Sequence, residues 1–178
     1  MRANTKEDAL AQPYRVFNEH MKGLFLPALL LTGSIERAED CFIRAINLAA
    51  GHPAVDDAFI SSVARRCVIK AAIEVIAEEI RACAEIESRQ QDDTVQACTS
   101  RLQEAVGASH AFRMGNLLRL NPLRRAALVL RLFEKYHRKD MALLLGVSMS
   151  VAELASKRGL IEYLRHCGAI RDLSLGDP

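Results

Sequence analysis

The sequence predicts an all-α fold made of two small helical domains. Three observations predict it. No Gly or Pro occurs between Ala54 and Val106. Ala, Leu, Glu, Arg and Ile dominate the composition, as in helix-rich chains. Apolar residues recur at three- and four-residue spacing, the period of one helical face. With 178 residues, 50% of them hydrophobic and 26% charged, the chain has a globular balance rather than a disordered one. The expected layout is a helical bundle over 1–86, a linker over 87–116 and a three- to four-helix domain over 117–171.

A first helix is expected over 7–31, bent or broken near Pro13 and Pro27. Thr32-Gly33-Ser34 reads as a stop and a start. Gly33 takes the left-handed conformation that closes a helix, and Ser34 caps the next one, with Glu36 and Glu39 in its first turns. That helix runs to about Ala50, and Gly51-His52-Pro53 ends it. A long helix or helix pair follows over about 55–87. Its apolar positions are Phe59, Val63, Cys67, Ile69, Ile73, Ile76, Ile80 and Ile86. The polar run Glu87–Thr94 and the turn-rich run Gly107–Asn116 frame the linker, with a short helix expected over 94–106.

The third segment carries the clearest punctuation. Asn121 is a cap and Pro122 a first helical residue, and Leu123, Ala126, Ala127, Leu130 and Phe133 are expected inward. A short helix over about 138–145 points Met141, Ala142, Leu144 and Leu145 to the core. Gly146 ends it, and Val147 pins the turn. Ser150-Val-Ala-Glu153 reads as a capping box opening the last helix, which ends near Cys167 and Gly168. A short helix, a glycine turn and a capped second helix are the grammar of a helix-turn-helix. Any tight three-helix bundle shares that pattern.

Several classes are excluded. The run Gly23–Leu31 is about half the length of a membrane-spanning helix, and Pro27 interrupts it. Met1–Asp8 mixes both charge signs and leads into no apolar stretch, unlike a secretory signal. Cysteines 41, 67, 83, 98 and 167 form no CxxC pair, so reduced, mostly buried thiols in a cytoplasmic protein are expected. Histidines 20, 52, 110, 137 and 166 have no His or Cys partner at ligand spacing, so no metal is expected. There is no phosphate-cradling glycine loop, no HExxH and no nucleophile elbow. The pairs Asp56-Asp57 and Glu78-Glu79 are adjacent on helices and point apart. A binding protein without catalysis or cofactor is expected.

Net charge is +2, but it is unevenly spread. Residues 1–90 hold 11 basic and 13 acidic side chains, and residues 117–171 hold 11 basic against four acidic, a balance of +7. Such a module suits phosphate, or simply carries a solvated basic face. The candidate phosphate clamps are Arg124 and Arg125 at one helix start, Arg138 and Lys139 at the next, and Lys157 and Arg158 within the last helix. Each is open to the alternative of a solvated cation. Ser148, Met149, Ser150 and Ala152 form the tip that faces a groove, a surface of low information content.

These residues carry a resemblance. Leu120-Asn-Pro-Leu-Arg-Arg-Ala-Ala-Leu-Val-Leu-Arg131 is similar to the segment opening region 4 of sigma-70 family RNA polymerase sigma factors of the extracytoplasmic-function type. Asp140-Met-Ala-Leu-Leu-Leu-Gly-Val-Ser148 resembles that family's Glu-Ile-Ala-x-x-Leu-Gly-Val-Ser. Leu31-Thr-Gly-Ser-Ile-Glu-Arg-Ala-Glu-Asp40 resembles its region 2 pattern, and Val63-Ala-Arg-Arg-Cys-Val-Ile69 a later part of that region. The four segments occur in the family's order. The resemblance implies a region 2-like bundle and a region 4-like helix-turn-helix domain. It also implies binding to core RNA polymerase, through a surface that includes Glu39 and Asp40, and to double-stranded promoter DNA. An anti-sigma protein is a family-level partner.

The chain departs from the family in three places. Cys41-Phe-Ile-Arg-Ala-Ile46 lacks the Gln-Glu pair of the polymerase-gripping surface. Lys70–Glu79 is apolar and acidic where the family has a basic stretch that helps open DNA. Glu153, Leu154 and Ala155 stand where its recognition helix carries basic residues and Ser. Two further readings therefore stay open. One is a sigma-like adaptor that has lost promoter opening and acts through protein contacts. The other is a dimeric helix-turn-helix DNA binder.

Overall fold

Residues 14–50, 57–89 and 114–168 are described in the computed structural model, and among them every regular element is a helix. None of the helices is long and apolar enough to cross a membrane. The chain divides into two units between Ile76 and Ala77.

In the first unit a helical turn over 14–19 leads into α1 (Met21–Thr32), α2 (Ile35–Ala50) and α3 (Asp57–Val75). These three helices pack on one another. The break before α1 falls at His20, whereas Pro27 lies inside α1. There Pro27 removes one backbone donor and crowds the Gly23 carbonyl, and its buried ring adds to the core. Pro13 lies outside the described residues. Gly33 closes α1 at φ 74°, its amide donating to the Leu29 carbonyl at 2.8 Å. Ser34 then caps α2 as expected, its hydroxyl accepting from the Arg37 amide at 3.5 Å.

The buried face of α2 is Ala38, Cys41, Ala45 and Ala49, small side chains that suit close packing on its neighbours. Phe42 receives Phe17 edge-on, with ring centroids 5.0 Å apart. Burial pushes the Cys41 thiol up to about 11 and raises that of Cys67. Both therefore stay protonated and inert near neutrality. Cys83 and Cys167 are half-buried, and all four are free.

The long helix or helix pair expected over about 55–87 is a pair. The first ends at Val75, and Ile76 forms a turn whose amide still reaches the Ala72 carbonyl at 3.3 Å. No Gly or Pro marks this break. Ile76 and Ile80 are buried as expected, whereas Ile86 is exposed.

The second unit contains α4 (Ala77–Arg89), α5 (Met114–Leu118), α6 (Pro122–Leu132), α7 (Arg138–Leu145) and α8 (Met149–His166). The sequence reading places 77–86 with the first module and starts the linker at Glu87. Here α4 packs on α6 and α8, and Glu87, Ser88 and Arg89 are helical. The expected short helix over 94–106 lies outside the described residues. Residues 114–118 are helical rather than part of a turn-rich connection, because Leu117 is fully buried and Asn116 Nδ2 donates to the His166 carbonyl at 3.0 Å.

Helix α6 is the axis of this unit. Leu123, Ala126, Ala127, Leu128, Val129 and Leu130 are all buried, more than one face's worth, so the helix is covered on several sides. Phe133, expected inward, is 40% exposed because it falls past the end of α6. Helix α8 crosses α6 at Gly159, where an added Cβ would lie 2.8 Å from the Arg124 carbonyl oxygen. Only glycine permits that approach.

Candidate nucleic-acid interface

The corner between α7 and α8 is built by local rules. Asn121 caps α6 through Oδ1, which accepts from the Arg124 amide at 2.8 Å, and the missing amide of Pro122 costs nothing there. At the end of α6, Lys135 adopts φ 58° and lets the Tyr136 amide return to the Leu130 carbonyl at 3.0 Å. Helix α7 then starts at Arg138. Gly146, at φ 66°, turns the chain while the Val147 amide bonds the Ala142 carbonyl at 3.1 Å. Met141, Ala142 and Leu145 are buried as expected, while Leu144 and Val147 are half-buried.

The expected capping box at Ser150 and Glu153 does not form. Ser148 is the cap: its hydroxyl accepts from the Val151 amide at 3.3 Å, and Ser150 Oγ lies 3.0 Å from Ser148 Oγ. The helix begins two residues earlier than that box requires. Glu153 is therefore one turn inside, where its carboxylate meets Arg138 Nη1 at 3.2 Å and Lys157 Nζ at 3.3 Å.

The sequence-selected cations separate into two groups. Arg138, Lys139, Ser148, Met149 and Ser150 are exposed at the α7–α8 corner, and Lys157 is half-buried beside Glu153. Arg124, Arg125 and Arg158 are not presented to solvent as phosphate clamps. Arg125 is buried and donates from Nη1 to the Leu120 carbonyl at 3.2 Å and the Leu118 carbonyl at 3.5 Å, closing the end of α5. Arg124 meets Glu162 at 2.9 Å and Glu87 at 3.0 Å. Arg158 Nη1 meets Glu87 Oε1 at 2.9 Å. Burial alone would lower the Arg124 pKa, but the hydrogen bonds to Glu162 and Glu87 outweigh it and hold the value above the ordinary one. The physical reason for this correction is packing: α6 is covered on several sides and α8 crosses it, so cations there need partners, carboxylates for Arg124 and Arg158 and backbone carbonyls for Arg125. The cations were visible in the sequence. The identity of the partners, Glu87 and Glu162, was not.

A shallow cavity of about 210 Å³ lies between α6, α7 and α8, with Leu128, Met141 and Leu160 on its walls and Arg138, Glu153 and Lys157 among its polar lining. In the first unit, Glu39 and Asp40 are both exposed on α2, so neither is tied up inside. Among the described residues no group of His, Cys, Asp and Glu is placed to hold a metal. No family model, curated protein or solved structure matches the chain.

Proposed function

We propose that the second unit binds double-stranded DNA through the α7–α8 corner, and that the chain acts as a divergent sigma-70-like initiation factor on core RNA polymerase. The observation that carries this is the exposed start of α8. Ser148, Met149 and Ser150 follow a left-handed glycine turn, with Arg138 and Lys139 exposed at the start of α7. Hydroxyls and a thioether at a helix start suit groove edges, and cations on the preceding helix suit the flanking phosphates. Arg124, Arg125 and Arg158 drop out of the contact set, and Arg138 and Lys157, which share Glu153, contribute as phosphate competes with that carboxylate. In the first unit, exposed Glu39 and Asp40 are the polymerase-facing residues of this reading.

Fluorescence anisotropy with a short random-sequence duplex across a salt series tests the DNA contact. The double variant Arg138→Gln/Lys139→Gln is expected to weaken binding on every sequence and to flatten the log–log salt slope by about two units. Unchanged affinity and slope would remove the corner from the interface. Pull-down with core polymerase followed by run-off transcription tests the second half. Binding without initiation favours the adaptor reading, which has its own support: Leu143 is 83% and Met149 50% exposed on this unit, apolar surface that suits a protein partner.

A further inference from the structure

Between α4, α6 and α8 lie four charged side chains that the proposed DNA contact does not use: Glu87, Arg124, Arg158 and Glu162. Glu87 is only 1% exposed. Its Oε2 accepts from Arg124 Nε at 3.2 Å and Nη2 at 3.0 Å, and its Oε1 from Arg158 Nη1 at 2.9 Å and Arg124 Nη2 at 3.4 Å. A carboxylate is thus gripped by two guanidiniums from two different helices. Planar guanidinium forks grip phosphoryl oxygens with the same geometry, and a phosphoryl group offers more charge and one more oxygen.

The helix that delivers this carboxylate is weakly held otherwise. Of the thirteen residues of α4, only Ile80 and Glu87 are buried. They sit seven positions apart, on one face. One isoleucine with half-buried Ala77, Cys83 and Ala84 beside it is a small apolar anchor for a helix of that length, so the carboxylate supplies a large share of the docking of α4. The cradle also has an open side, since the Arg124 and Glu162 side chains are 22% and 31% exposed.

We infer that Arg124 and Arg158 form a binding site for a phosphoryl anion, occupied in this state by the chain's own Glu87, and that α4 is a strap which such an anion displaces. The ligand class is a multiply charged free phosphoryl anion, such as a diphosphate. A monovalent anion, including the phosphodiester of a nucleic acid, lacks the charge to compete with a tethered, buried carboxylate.

Hydrogen exchange on the intact chain tests this without any DNA, so its failure is separate from failure of the DNA-binding reading. In the unmodified protein, amides of α4 are expected to exchange faster than those of Ala126–Val129 in α6, through an opening that leaves α6 closed. Inorganic pyrophosphate is expected to speed α4 exchange saturably, while sodium chloride at matched ionic strength does so far less, because a buried pair is poorly screened. In Glu87→Gln, α4 loses protection, α6 keeps it, and pyrophosphate binds about tenfold more tightly, the worth of one charge-assisted hydrogen bond no longer contested. Arg158→Gln removes the pyrophosphate effect. The inference is overturned if chloride matches pyrophosphate, or if α4 and α6 of the unmodified protein exchange together in one global opening. That last measurement needs no variant, so a misfolded Glu87→Gln leaves the test decisive.

Discussion

Arg124 and Arg138 stand on consecutive helices of one unit and carry the same group, yet they belong to opposite kinds of surface. Arg124 is held between Glu87 and Glu162 on the face where α6 meets α8, whereas Arg138 is 56% exposed and shares one carboxylate with Lys157. The difference teaches that a run of basic residues reports charge, not charge available to a partner. Counting residues 117–171 gives eleven basic and four acidic side chains. The count omits Glu87, which arrives from a preceding helix and engages two of the eleven. Of the others, Arg138, Lys139 and Lys157 stand at the α7–α8 corner, while Arg119 and Arg165 are exposed after α5 and in the last turn of α8.

The comparison breaks most violently at Gly159. A Cβ there would stand 2.8 Å from the Arg124 carbonyl oxygen and 3.2 Å from Arg124 Cβ, and the first of these neighbours is backbone that cannot swing aside. Gly159→Val should push α8 off α6, pull Arg158 away from Glu87, and cost about 3 kcal/mol by overpacking. Urea unfolding of the full chain reads this as a lower midpoint. Gly115→Ala is the control, because nothing lies within 4 Å of a Cβ at that position. It should be neutral or stabilising by up to about 1 kcal/mol. Equal effects at the two glycines would mean that the α6–α8 crossing is not close.

Local features of this fold are legible in the sequence. Asn121 with Pro122, Gly33 with Ser34, and Gly146 all act where their chemistry says, because a cap or a left-handed turn is settled within a few residues. Non-local features are not. Glu87 finds Arg124 across 37 residues and Arg158 across 71, and helical period says which face a residue occupies but not which helix will cover it. Gly159 reads as a weak point in a helix until the crossing is known. The break at Ile76 has no glycine, proline or cap to announce it. The candidate site was legible only in part for the same reason. Exposure at Arg138 and Lys139 follows from a short amphipathic helix, while the pairing of Arg124 and Arg158 and the burial of Arg125 follow from how α4, α6 and α8 pack.

Smaller in size, and sharper, is an exchange of the two arginines' fates. Arg124→Met leaves Glu87 and Glu162 sharing fewer donors in a largely buried place. Breaking a buried pair costs about 3–5 kcal/mol, and the 22% exposure of Arg124 reduces this to about 2 kcal/mol. Arg138→Met severs only an exposed pair and should change stability by less than about 0.5 kcal/mol. DNA affinity should sort the other way, falling for Arg138→Met and holding for Arg124→Met once the measurement is made on folded protein. Chemical denaturation and anisotropy on the same two variants check both halves. A variant that lost stability and affinity together would merge the two surfaces that the geometry separates.

Lys135 sharpens the contrast from the other end, because this cation is placed by backbone need rather than by any counter-charge. Its φ of 58° is the only positive value on a non-glycine among the described residues, and it lets α6 close through the Tyr136 amide and the Leu130 carbonyl. A side chain in the left-handed region costs about 1 kcal/mol relative to glycine, part of which glycine returns through the greater freedom of its unfolded chain. Lys135→Gly should therefore stabilise the protein by roughly 0.5 kcal/mol in urea unfolding, despite deleting a side chain from the surface. The sign is the informative part. A gain means that the turn between α6 and α7 is specified by backbone geometry alone. A loss would mean that the lysine side chain itself holds the turn that sets α7, and with it Arg138 and Lys139, in place.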